Sequence, residues 1–270
     1  EAVIVRQVSV RHSISAHSTT NKRPCRSFRV SSDVKIQTVT ARPRRVLLSW
    51  SSGKDSAWSL HALQQTADIE VVGLLTTFNE SADRVAMHAV RRTLVREQAK
   101  MIGLPLVEVA LPWPCTNEDY ERAMSDALVD SRERFDVSEI AFGDLFLEDI
   151  RRYRDNQLAG LGLEAIYPLW QLLTRALAHQ MIEAGVGAVL TCVDPKQCPI
   201  EFVGRRFDAE LLNALPESVD PCGENGEFHT FVFDTPDFRQ AIPYEIGRKV
   251  ERGDFVYCDV RPKVMSTTTH

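Results

Sequence analysis

An apolar run, Val46-Leu47-Leu48-Ser49-Trp50, gives way to Ser51-Ser52-Gly53 and then to helical spacing over residues 54–66. A buried strand, a tight turn and an opening helix account for that order. Apolar stretches at 70–77, 106–110 and 138–142 read as three more strands. Between them, 84–102 and 117–135 carry helical periodicity; Gly103 and Pro105 stop the first, and Thr116 caps the second. Strands alternating with helices predict an α/β fold with a parallel sheet covered on both faces. Ligands on such sheets bind at the carboxyl ends of the strands, where the turn after Trp50 and the Gly143-Asp144 pair both fall.

That first turn suits a phosphate. A helix start presents unpaired N–H groups and the positive end of its dipole. Ser51, Ser52 and Gly53 keep bulk away from those donors, and Gly53 can take a positive φ if the turn requires one. Lys54 adds a mobile positive charge, and Ser56 a hydroxyl in the first helical turn. The G-x-x-x-x-G-K-[ST] spacing is absent, so this is not a Walker A loop. A capped strand-to-helix turn without a ligand is the plainer alternative, because Ser and Asp are ordinary N-terminal helix residues.

After Asp144 the texture changes. Residues 145–160 and 171–184 read as helices, with Tyr167-Pro168-Leu169-Trp170 between them. A strand at 187–193, a short helix at 207–215 and a strand at 228–233 follow. Residues 242–251 and 254–260 flank Arg252-Gly253 and predict a hairpin. Within 220–238, Gly223 and Gly226 bracket a tightly turned loop that carries Glu224 and Glu227, with His229 and Thr230 entering the next strand. Carboxylates in such a loop can coordinate Mg²⁺, bind an ammonium group or accept a proton; a solvated acidic turn is the alternative.

Charge is unevenly spread. Residues 1–45 carry ten Lys or Arg against Glu1 and Asp33, while the remainder carries 22 basic and 35 acidic residues, so a +8 arm precedes a −13 body. The arm, rich in Ser, Thr and Arg, matches a transit peptide or a disordered basic segment. An acidic body argues against a broad nucleic-acid surface. No apolar run is long enough for a membrane helix. The six cysteines form no C-x-x-C pair, which fits neither a zinc site nor a disulfide framework.

Ser51-Ser52-Gly53-Lys54-Asp55-Ser56 resembles the S-G-G-x-D-S loop of the PP-loop ATP pyrophosphatases, with Ser52 where the first glycine usually stands. In order after it come Phe142-Gly143-Asp144, Glu148-Asp149, Tyr167-Pro168-Leu169-Trp170 and Cys222-Gly223-Glu224-Asn225-Gly226-Glu227-Phe228-His229-Thr230. His88 and Gln98-Ala99, ahead of Gly103-Leu104-Pro105-Leu106, belong to the same set. Together they resemble the diphthine–ammonia ligase family, in its short form, over about residues 46–238.

The resemblance implies an adenine nucleotide alpha hydrolase-like (Rossmann-like) domain at 46–145 and a smaller α/β domain at 146–262, between the 1–45 arm and a 263–270 tail in which Ser266–His270 are expected to be disordered. It also implies an ATP-dependent amide ligase. A carboxylate acceptor, diphthine on elongation factor 2 in the family reaction, is adenylated and then attacked by ammonia, releasing AMP and pyrophosphate. ATP would lie on Ser51, Ser52, Gly53, Lys54, Asp55 and Ser56, with Mg²⁺ oriented by Asp55. Lys54, Asp144, Glu224, Glu227 and His229 would carry the chemistry. A cytoplasmic location is expected, or an organellar one if the arm is a transit peptide. Two further readings stay open: a PP-loop enzyme that thiolates tRNA, and a non-catalytic ATP sensor.

Overall fold

The computed structural model describes residues 42–85 and 88–263, all within one compact unit. The expected disordered tail and nearly all of the basic arm lie outside the described residues. In chain order the elements are β1 (Arg44–Ser49), α1 (Lys54–Gln64), β2 (Ile69–Asn79), β3 (Arg84–Val85), α2 (Arg92–Ile102), β4 (Leu106–Leu111), α3 (Asn117–Phe135), β5 (Glu139–Ala141), α4 (Glu148–Ala159) and β6 (Glu164–Ile166). Then follow α5 (Thr174–Glu183), β7 (Gly187–Val193), α6 (Ala209–Ala214), β8 (Phe228–Asp234), β9 (Tyr244–Arg252) and β10 (Phe255–Pro262).

The first sheet is parallel through β4, β2, β1, β5 and β6. Short β3 adds antiparallel to the end of β2, where Phe78 pairs with Val85. Strand β1, central in this order, has Val46, Leu47 and Leu48 fully buried, as a strand covered on both faces requires. A second sheet, ordered β8-β7-β10-β9, is antiparallel throughout. The fold class is therefore α/β, with a Rossmann-like parallel sheet and a smaller antiparallel sheet after it. One apolar cluster runs through both, from Leu48 and Leu60 to Val189 and Phe231.

Local signals explain several boundaries. Thr116 caps α3 reciprocally: its hydroxyl accepts from Asp119 N–H at 3.1 Å, and the Asp119 carboxylate accepts from Thr116 N–H at 3.3 Å. Gly103, at φ 83°, closes α2 in the left-handed region that glycine adopts without penalty. The hairpin at Arg252-Gly253 forms as expected.

Three expectations are corrected. The helix expected over 84–102 starts only at Arg92, because β3 pairs with β2 and Val85 N–H bonds the Val90 carbonyl at 2.9 Å. The helices expected from 145 and 171 start at Glu148 and Thr174; Gln171, at φ 62°, cannot begin a right-handed helix. Strand β6 was absent from the expected set, since three residues carry too little periodicity to register. Among the described residues no helix is long and apolar enough to cross a membrane.

Candidate active site

Strand β1 ends at Ser49, and the chain turns through Ser51, Ser52 and Gly53 into α1. The positive φ falls on Ser52, at 71°, and not on Gly53, whose φ is −93°. Gly53 is needed for closeness instead: a Cβ there would stand 3.0 Å from His88 Cε1 and 3.2 Å from the Thr230 carbonyl oxygen. Gly143, after β5, serves the same end, since its Cβ would meet Asp55 C at 3.1 Å. The loop is thus pressed between the end of β5 and the second sheet.

Strand β8 grips the loop directly. Val232 N–H donates to the Ser52 carbonyl at 2.9 Å, and the Thr230 hydroxyl accepts from Lys54 N–H at 3.1 Å. Gly53, the N-cap residue, has no side chain to offer α1, so Thr230 supplies a cap from the other sheet. Buried Gln98 completes the junction: its amide donates to Ser52 O at 3.0 Å and Val232 O at 2.6 Å, and accepts from Trp50 Nε1 at 2.9 Å.

Lys54 is not mobile. It is 2% exposed; its ammonium donates to the Asp55 carboxylate at 2.9 Å and to the Cys222 carbonyl, and lies 5.4 Å from the Phe228 ring centre. Burial pulls the ammonium down, but Asp55, Cys222 and Glu224 outweigh it and hold Lys54 above its ordinary value. Burial also raises Asp55, against the pull of Lys54.

Glu224 joins this cluster. Its Oε2 accepts from Leu145 N–H at 3.2 Å, tying the Gly-Glu loop to the segment after β5. Burial first, and then the charge of Asp55, push its carboxyl up to about 8. Asp144 adds negative charge nearby and is itself held by Arg154, whose guanidinium lies 4.2 Å from the Phe142 ring centre. Ser51 and Ser56 share a hydrogen bond of 3.2 Å across the turn. Lys54, Asp55, Asp144 and Glu224 are therefore brought together.

Glu227 is turned elsewhere. Its oxygens accept from Asp220 N–H at 2.8 Å, Asn225 N–H at 2.8 Å and the Asn225 amide at 2.9 Å, all in its own loop. It shapes the loop that presents Glu224. His229 packs against His88 with ring centres 4.5 Å apart and tilted by 37°, and its buried Nε2 has no hydrogen-bond partner among the described residues. Burial lowers both rings, His88 to about 4 and His229 well below its ordinary value, so both are neutral imidazoles beside the loop. His88 and Gln98 are site residues that the sequence yielded only as parts of a resemblance, and Thr230 was read as a residue entering the next strand; nothing in their local pattern marks the contacts they make.

Residues 44–165 match the diphthamide synthase N-terminal domain, and residues 174–265 the diphthamide synthase C-terminal domain. The chain belongs to the diphthine–ammonia ligase family. It is 27% identical to the diphthine–ammonia ligase of Danio rerio over 80% of this chain and 92% of that protein. Identity to the Homo sapiens protein of the same name is 26%, over 73% of this chain and 82% of that one. The Schizosaccharomyces pombe protein is 26% identical over 81% of this chain, which spans 39% of that relative's length.

Within this ligase family the thiol chemistry of tRNA thiolation finds little support here. Burial pushes Cys192 and Cys198 up to about 12, the reverse of what an activated thiolate needs.

Proposed function

We propose that the chain is an ATP-dependent ligase that adenylates a carboxylate so that ammonia can displace AMP. The observation that carries this reading is the junction of the Ser51–Ser56 turn with the Gly-Glu loop: Lys54, Asp55 and Glu224 form one charge cluster at a helix start. A carboxylate anion resists ammonia because it has no leaving group. In the first step an acceptor oxygen attacks the α-phosphorus, the bond to the bridging oxygen breaks, and pyrophosphate leaves. In the second, ammonia attacks the acyl carbon, the C–O bond to AMP breaks, and the nitrogen sheds a proton.

Lys54 stabilises the charge that develops on the phosphates, a positioned cation in a site sheltered from water. Glu224, with its carboxyl at about 8, is mostly protonated at neutral pH and takes a proton from nitrogen through its ionised fraction, which grows as pH approaches 8. Asp55 fits a supporting role for Mg²⁺, since this ion binds through one or two carboxylates plus phosphate oxygens and water. Such an ion would neutralise phosphate charge and relieve the repulsion between Asp55 and Glu224.

The relatives' printed name supports a diphthine-bearing acceptor and ammonia as the nitrogen source. A protein-borne diphthine, on elongation factor 2, is the acceptor this reading selects, and the cytoplasm the compartment where the two would meet. Purified chain, ATP, ammonium and elongation factor bearing diphthine should give the amide by mass spectrometry. Amide formation from another acceptor alone would overturn the choice of diphthine.

A further inference from the structure

The Tyr167-Pro168-Leu169-Trp170 segment, which leaves β6, has no residue in the charge cluster, yet it is built onto it. Leu169, 1% exposed, anchors the segment in the core, and Trp170 N–H returns to the Tyr167 carbonyl at 3.2 Å. That turn sets Tyr167 and Trp170 against α4, with ring centres 5.6 Å apart. Arg151 lies over both, its guanidinium carbon 4.8 Å from the Tyr167 ring centre and 4.6 Å from that of Trp170. The Tyr167 hydroxyl donates to the Asp155 carboxylate at 3.0 Å, one turn past Arg151.

The stack continues inward. Tyr167 lies on Phe142, with ring centres 5.8 Å apart and 26° between the planes, and Arg154 lies 4.2 Å from the Phe142 ring centre. Arg151 and Arg154, three residues apart on α4, share one helix face. Arg154 then reaches back ten residues to donate to Oδ2 of Asp144, its one hydrogen-bond partner among the described residues. Asp144 stands between two residues already fixed in the site: Gly143 is packed on Asp55, and Leu145 N–H holds Glu224. A planar guanidinium laid on an aromatic face is pre-organised to take a carboxylate, because it loses little further freedom in doing so.

We propose that Arg154, backed by the Tyr167–Trp170 segment, is a positioning residue that holds Asp144 in the charge cluster of the ligase site. The proposal rests on the ligase reading. Arg154 makes no hydrogen bond to Lys54, Asp55 or Glu224, so it acts through Asp144. The Asp144 side chain is 15% exposed and shares the cluster with the carboxylates of Asp55 and Glu224. Without the guanidinium, like charge drives Asp144 out toward water. Kept in the cluster, it offsets the positive charge that nitrogen acquires when ammonia adds to the acyl carbon. The aromatic segment thus serves the reaction from outside the cleft, by fixing the arginine that fixes the carboxylate.

Amide formation by the full chain, with ATP, ammonium and elongation factor bearing diphthine, tests this through a double-mutant cycle. Arg154→Gln should lower kcat roughly tenfold or more while KM for ATP stays within about twofold of the parent. Asp144→Asn should lose at least as much, and adding Arg154→Gln to it should cost nothing further. Trp170→Leu, which removes one face under Arg151, should lower kcat by a smaller factor with KM for ATP unchanged. If Arg154→Gln lacks the parent's thermal transition, Arg154→Lys replaces it in the cycle; it keeps the charge, loses the flat face and should recover only part of kcat. An unchanged kcat in Arg154→Gln or Trp170→Leu, or losses that multiply in the double variant, would overturn the proposal. Should either occur while the parent yields AMP and pyrophosphate, the ligase reading stands and the positioning role fails. A parent that yields only ADP refutes the ligase reading, and the positioning role with it.

Discussion

Ser52 holds the Ser51–Ser56 turn in a conformation that serine resists. Its φ of 71° carries a steric cost of about 1–2 kcal/mol for a side chain with a Cβ, and its buried hydroxyl has no partner among the described residues. Glycine removes both costs but loses more backbone entropy on folding. Ser52→Gly should therefore stabilise the protein by about 1 kcal/mol, seen as a higher urea midpoint with an unchanged slope; a lower midpoint would mean that the loop is not strained. Glu224 makes a second prediction at this scale. Its carboxyl stands at about 8 in the fold against an ordinary 4.5, so between those values the native state holds a proton that the unfolded chain has lost. Stability from this group is present below pH 4.5 and is lost as pH rises through the window to about 8. Glu224→Gln keeps the acceptor for Leu145 N–H and removes the titration. Its melting temperature should rise above the parent's by a margin that widens from pH 5 to pH 8; a constant margin would contradict the raised carboxyl.

Among the elements, α2 and the Gly-Glu loop bear most on the site. Gln98 connects Trp50, Ser52 and Val232, and Gln98→Leu leaves three buried polar groups short of a partner. A loss of at least about 2–4 kcal/mol in denaturant unfolding is expected from that mechanism, and a change under about 0.5 kcal/mol would show the network to be dispensable. For Glu227→Gln the amide can accept with only one of its two ends, so the loop should loosen and the protein lose about 1–3 kcal/mol, restored by neither ATP nor salt. Elements with strong periodicity were legible in the sequence: α3 runs over the residues expected, and so does β7. Two- and three-residue strands were not, and β3 lay inside the helix expected over 84–102. The turn from β1 into α1 was legible because its strand-turn-helix pattern is local. Gln98, Thr230 and His88 were not, because each acts across a long separation: 46 residues from Gln98 to Ser52, 176 from Thr230 to Lys54 and 142 from His88 to Thr230. No local pattern encodes such contacts.

At the scale of the whole molecule, the second sheet does more than follow the first. Strand β8 caps α1, the loop before it covers Lys54, and the β9–β10 hairpin is clamped to β3 through Asp259. Lys54 and Glu224 come from opposite ends of the described chain, and neither sheet alone assembles the cluster they form. The central claim is that this cluster serves attack at the α-phosphorus of ATP. The most direct measurement is chromatography of the products from ATP labelled at the α-phosphate, with ammonium and elongation factor bearing diphthine. AMP should appear in equal amounts with pyrophosphate, only when the acceptor is present, and Lys54→Ala should abolish it. Labelled ADP with free phosphate, or AMP formed at the same rate without any acceptor, would contradict the account.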